Sequence, residues 1–151
     1  MNDEFYMMLA LEEAKKAEEI DEVPVGAVIV DEHNQVIGQG FNRPISTNDP
    51  TSHAEINALR MASNRLNNYR LTQTTLYVTI EPCIMCMGAI IHARIKRVVF
   101  GASDPKWGAV LSLYNMASDH RLNHCPEIVS GVCEKKTRQI IKSFFMNKRS
   151  K

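Results

Sequence analysis

Two short segments of this 151-residue chain carry metal-ligating and proton-transferring side chains at chemically useful spacings. One is His53-Ala54-Glu55, and the other, about thirty residues on, is Pro82-Cys83-Ile84-Met85-Cys86. A Cys-x-x-Cys at the start of a helix sets two sulfurs where unpaired backbone N–H groups and the helix dipole favour thiolates. Adding one His makes three ligands, the number a catalytic zinc takes while keeping a position open for water. Two thiolates and a neutral imidazole neutralise Zn²⁺, and a zinc so held lowers the pKa of its water. Glu55, two residues from His53, is placed to move protons at that water without ligating the metal.

Each fragment also has a plainer reading. Ser52-x-x-Glu55 fits a capping box, in which the carboxylate only satisfies a helix-terminal amide. Cys83 and Cys86 alone fit a redox pair or half of a structural zinc site. A redox pair leaves His53 and Glu55 unexplained, so the fragments taken together favour the catalytic site.

The elements that must position these residues follow from patterning. Residues 3–20 form a helix with a stripe starting at Phe5, Met8 and Leu9 and continued by Ala14 and Ala17. Val25–Val30 and Val36–Phe41 are strands, and the polar run between them makes a hairpin. A loop from Asn42 to about Ser52 leads to a helix near His53–Asn64. A strand at Thr75–Ile80, a helix at Cys83–Arg94 and a strand at Arg97–Gly101 come next, then an irregular segment around Asp104–Gly108. A weaker helix near Val110–Ala117, a strand at Glu127–Val132 and a helix from Glu134 towards Met146 complete a layered α/β domain.

Composition sets the outer bounds. The chain is 44% hydrophobic and 23% charged with a net charge of +1, as in an ordinary globular domain, which excludes disordered and fibrous classes. One domain spanning residues 1–151 is expected. The apolar runs are too short to span a membrane, and the acidic N-terminus is unlike a secretory signal, so a cytoplasmic, reduced protein is expected. Charge is polarised: residues 1–22 carry a net −6, and residues 135–151 a net +7 with no acid. A basic helix and tail over about 134–151 can attract phosphates, although charge alone equally fits a solvated surface. Cys125 and Cys133 read as reduced thiols, at least one of them packed in the core.

His-x-Glu followed by Pro-Cys-x-x-Cys is the known signature of the zinc-dependent nucleoside and nucleobase deaminases, which this chain resembles. The resemblance narrows to the bacterial tRNA-specific adenosine deaminases and spans nearly the whole chain. It runs through Glu22–Ala27, Phe41–Pro44, Asp49–Ile56, Leu76–Cys83, Arg97–Ala102 and Asp104–Lys106 to Phe144-Phe145 and the basic end. It implies a three-layer αβα cytidine-deaminase-like fold with a five-stranded mixed sheet. It also implies a homodimer that converts the wobble adenosine of a tRNA anticodon to inosine, releasing ammonia. By the same resemblance His53, Cys83 and Cys86 hold one zinc per chain, and Glu55 is the proton shuttle. Asn42 contacts the base, while Asp104, Lys106, Phe144 and Phe145 lie along the anticodon loop. Trp107, where the family usually has a small residue, and Met87, where it usually has Ala, depart from the pattern.

The residues themselves support part of this. Asn42 can both donate and accept, and so read a base edge, or it can simply stabilise the turn before Pro44. Thr137, Ile140, Ile141 and Phe144/Phe145 recur at helical spacing, but neighbouring helical residues diverge by about 100°, so one phenylalanine is left to stack on a base. Two other functions compete: a deaminase of free guanine- or cytosine-type bases or nucleotides, and a non-catalytic, zinc-stabilised RNA-binding subunit. The basic, Phe-Phe-bearing C-terminus favours RNA, and the presence of Glu55 favours an enzyme.

Overall fold

The computed structural model describes residues 2–149. Five strands, β1 (Gly26–Val30), β2 (Val36–Phe41), β3 (Thr75–Ile80), β4 (Arg97–Ala102) and β5 (Glu127–Val129), form one sheet in the order β2-β1-β3-β4-β5. β1 pairs antiparallel with β2 and β3, whereas β3–β4 and β4–β5 are parallel, so the sheet is mixed. Helices α1 (Asp3–Glu19) and α5 (Glu134–Arg149) cover one face; α3 (Ala54–Leu66) and α4 (Ile84–Ala93) cover the other. A single helical turn, α2 (Pro44–Thr47), follows β2. This is the expected three-layer αβα arrangement. No helix among the described residues is long and apolar enough to cross a membrane.

Glycines and alanines set how closely the layers approach. Gly38 and Gly40 of β2 lie directly under Ala54, Ala58 and Ala62 of α3, where a β-carbon would collide with helix backbone. Two small-residue faces therefore let α3 settle on the sheet, which brings its N-terminus over the carboxyl end of β3 and the start of α4. The largest core cluster, with Ile29, Leu76, Val78, Met87, Ile90 and Phe100, fills the space between sheet, α3 and α4. Met87 is fully buried there.

Three expectations need correction. The buried stripe of α1 is Tyr6, Met7, Ala10, Leu11, Ala14 and Ala17, while Phe5 is exposed and Met8 and Leu9 are only half-buried. The acids of α1 obscured its phase, because Glu13 is buried too and salt-bridged to Lys16. No α-helix forms over Val110–Ala117, which is held instead in turns by amide bonds to Glu81, ending in a 3₁₀ turn at Met116–Ser118. β5 ends at Val129, because Gly131 and Val132 bend away to donate to the carbonyls of Gly101 and Phe100.

Candidate active site

Two helix N-termini converge on one point. His53 is the N-cap of α3, Cys83 the N-cap of α4, and Cys86 lies in the first turn of α4. His53 Nδ1 lies 3.6 Å from Cys83 Sγ and 3.5 Å from Cys86 Sγ. A tetrahedral ion with Zn–N of about 2.0–2.1 Å and Zn–S of about 2.3 Å has N···S edges of roughly 3.5–3.6 Å. The donor set and its spacing therefore fit zinc. The Cys86 hydrogen bond is the main cause that pulls the Cys83 thiol down to about 4, against burial and with help from His53. Cys86 is pushed up, by that same shared proton and by burial.

Glu55 is buried at the first turn of α3. Burial is the largest influence on its carboxyl and raises it to about 7, with the Cys83 charge adding to the rise. It stands within hydrogen-bond reach of Cys86. The capping-box reading fails, because the N-cap of α3 is His53 rather than Ser52. The Ser52 amide, which a capping box would give to Glu55, donates to the carbonyl of Asp49, and the Ser52 hydroxyl bonds Asn57. The first amide of α3, that of Ala54, donates to Asn42 Oδ1 at 2.9 Å.

His53, Cys83 and Glu55 open into a cleft of about 770 Å³, with Cys86 buried behind them. Asn42, Pro44 and Pro50 line it on one side, Asp104, Lys106 and Trp107 on another, and Ile141 and Phe145 of α5 on a third. Asn42 Oδ1 anchors α3, which leaves Nδ2 as the hydrogen-bonding end for a ligand. Asp104 Oδ1 accepts from the amides of Lys106 and Trp107, shaping the rim turn. Phe144 is buried, with Lys148 over its ring, whereas Phe145 is 43% exposed and lines the cleft. The expected divergence of the two rings is what the helix delivers, and it takes Phe144 out of the cleft. Lys148 is also paired with Asp21, so an acid does offset part of the basic end, and Lys151 lies outside the described residues.

Two buried carboxylates are the residues that sequence reasoning left without a role. Glu81 accepts from the amides of Asp104, Val110, Leu111 and Ser112 and from the Ser112 hydroxyl. Burial pushes its carboxyl up, but these donors outweigh burial and hold it below its ordinary value. Its side chain is fully engaged with the 104–112 loop, so among the buried acids of the cleft Glu55 alone is left facing the His53/Cys83/Cys86 cluster. Glu22 accepts from the amides of Ile45 and Ser46 and so fixes α2 at the cleft edge. An acid beside Pro82-Cys83 and another just ahead of Val-Pro-Val were the only sequence signals of these roles. Of the other thiols, Cys133 is half-buried against the apolar cluster under α1 that includes Met7, Val28 and Val99, and Cys125 is exposed.

Residues 1–102 match the family described as the cytidine and deoxycytidylate deaminase zinc-binding region, and the chain belongs to that family. Within it, a tRNA-specific adenosine deaminase of Haemophilus influenzae is 52% identical over 147 residues, 97% of this chain and 85% of that protein. A solved structure from work on A-to-I editing by tRNA:A34 deaminases superposes with a TM-score of 0.87 at 47% identity, covering 90% of this chain and 98% of the other. A guanine deaminase from Bacillus subtilis is 40% identical with a TM-score of 0.64, over 68% of this chain and 66% of its own.

Proposed function

We propose that this protein hydrolytically deaminates the wobble adenosine of a tRNA anticodon, so that adenosine and water give inosine and ammonia. One observation carries the reading. The buried Glu55 carboxyl lies on the floor of a cleft with His53 and Cys83, which cluster with Cys86 just behind, and the cleft's rim offers Asn42, Lys106 and Phe145, groups suited to a nucleotide extruded from an RNA loop. When zinc is held by His53, Cys83 and Cys86, one ion per chain, it supplies Lewis-acid activation of water.

The chain's own residues do the rest. Burial holds the Glu55 carboxyl above the ordinary carboxylate range, which suits it to pass on each of water's two protons in turn, the first to the ring nitrogen and the second to the departing amine, which leaves as ammonia. Its burial keeps bulk water from competing for those protons. Asn42 presents its amide donor to an acceptor on the flipped nucleoside, held in place by its bond to α3. Lys106 meets backbone phosphate, and Phe145 supplies a ring face for a base. Asp104 contributes through the turn it holds. Buried Phe144 contributes by packing α5 so that Phe145 faces the cleft.

The same reading carries a homodimer in the cytoplasm. The outer surface of α3 and α4 suits such contact: Ile56, Leu59, Ala89 and His92 line a shallow apolar depression there, and Tyr69 at its edge is 67% exposed. Purified protein incubated with total tRNA and, separately, with free bases and nucleosides tests the activity. Inosine in tRNA with equimolar ammonia is expected. Ammonia from guanine or cytosine with unmodified tRNA would replace this reading with the free-base one.

A further inference from the structure

We propose that Trp107 is a stacking platform for an unpaired RNA base next to the one that enters the cleft. The inference rests on the RNA-deaminase reading above. Trp107 is the only tryptophan in the chain, and it is 68% exposed. Tryptophan is highly buried on average, so an indole held in water at a cleft rim is a candidate contact surface. The loop beneath it is anchored at both ends. The Trp107 amide donates to Asp104 Oδ1, the Asp104 amide to Glu81, and the amides of residues 110–112 to Glu81 as well. Gly108, the next residue, bridges to Cys83, so the ring is carried by the same turn that pairs with a metal ligand.

Preorganisation and chemistry together select the ligand class. The loop is already ordered, so binding immobilises little more than one side chain. A flat, water-exposed ring suits the π-face of any base, which makes the contact tolerant of sequence. Adjacent Lys106 supplies a cation for the phosphate linking that base to its neighbour. Phe145 stands on α5 at the same cleft, so two rings from separate elements border the entrance. The platform thus accepts a single-stranded nucleotide flanking the target, and it does not read base edges.

Because Trp107 is the sole tryptophan, its emission reports this one ring. The test uses the Glu55→Ala protein, which removes turnover, and titrates it with an anticodon stem-loop RNA bearing adenosine at the wobble position. Saturable quenching is expected, and an abasic nucleotide on one side of the target should remove most of it. Trp107→Ala should weaken binding roughly 5–150-fold, and Trp107→Phe should restore most of the affinity. The salt dependence of binding should stay the same in both variants, because no phosphate contact is lost. Unquenched emission at saturating RNA, or wild-type affinity in a folded Trp107→Ala protein, overturns the platform while leaving the deaminase reading intact. An RNA that neither binds nor is converted by the wild-type protein overturns both.

Discussion

The Glu81 carboxylate occupies the space that a side chain on Gly108 would need. A β-carbon built on Gly108 collides with the Glu81 carboxyl group and with the carbonyl of Asp104. The cleft-rim loop and the strand end that precedes the Cys-x-x-Cys are therefore fitted to each other, with Glu81 filling the gap and accepting the loop's amides.

Gly108→Ala should expel the carboxylate from this nest and cost about 1–3 kcal/mol, the usual range for overpacking. Glu81→Gln keeps the shape but turns an amide NH₂ toward backbone donors. It should cost about as much as leaving a buried donor unsatisfied, about 1–3 kcal/mol. Denaturant melts of both variants check this. Unchanged midpoints would mean that the loop is held by something else.

How the active site is assembled was legible only in part from sequence. His53, Glu55, Cys83 and Cys86 stood out because metal chemistry restricts residue type and spacing together. The strands were legible because β-branched and aromatic runs such as Val98-Val99-Phe100 and Val28-Ile29-Val30 are bounded by polar or turn residues. What escaped was pairing across long separations. Nothing local marks Glu81 as the acceptor for amides about thirty residues on, so Val110–Ala117 read as a weak helix. Asn42 capping α3 across 12 residues is the same kind of contact. In α1, buried Glu13 broke the polar pattern that would have shown which side faces the sheet.

Asp3 ties the N-terminus to the sheet. Both of its oxygens accept from Arg97, at 2.9 and 2.6 Å, and the Tyr77 hydroxyl donates to it at 2.8 Å. The Arg97 hydrogen bond is the chief cause that holds its carboxyl below the ordinary 3.8, with burial opposing. A carboxyl depressed on folding contributes stability above its unfolded value and loses it as pH falls through the folded one. Asp3→Asn should therefore destabilise by about 1–3 kcal/mol at pH 7, and the difference from wild type should shrink below about pH 4. Thermal melts across the acid-to-neutral range measure it, and a pH-independent difference would contradict the assignment.

Phosphate contacts should separate by how free each cation is. Lys106→Ala should weaken RNA binding evenly across sequences and make the salt slope shallower by about one unit. Lys148→Ala should change it less, since Lys148 is paired with Asp21. Equal slopes for Lys106→Ala and wild type would remove Lys106 from the RNA path.

Metal analysis should find close to one zinc per chain, lost in Cys83→Ala and in Cys86→Ala. Because metal-binding energy is partly folding energy, chelation should also lower the melting temperature. A double cysteine variant that retained its zinc would place the metal elsewhere.

Glu55 decides whether the chain is an enzyme. The buried carboxyl is the one acid of the described cleft that is not engaged in holding a loop, so the proposed proton transfer is assigned to it. The most direct measurement is inosine formation in tRNA by Glu55→Ala, with zinc content and RNA affinity determined on the same preparation. The account predicts a folded, zinc-loaded protein that binds tRNA normally while turnover falls by more than the ~10²–10⁴ usual for a lost proton-transfer group. Inosine formed at the wild-type rate by that protein would contradict it.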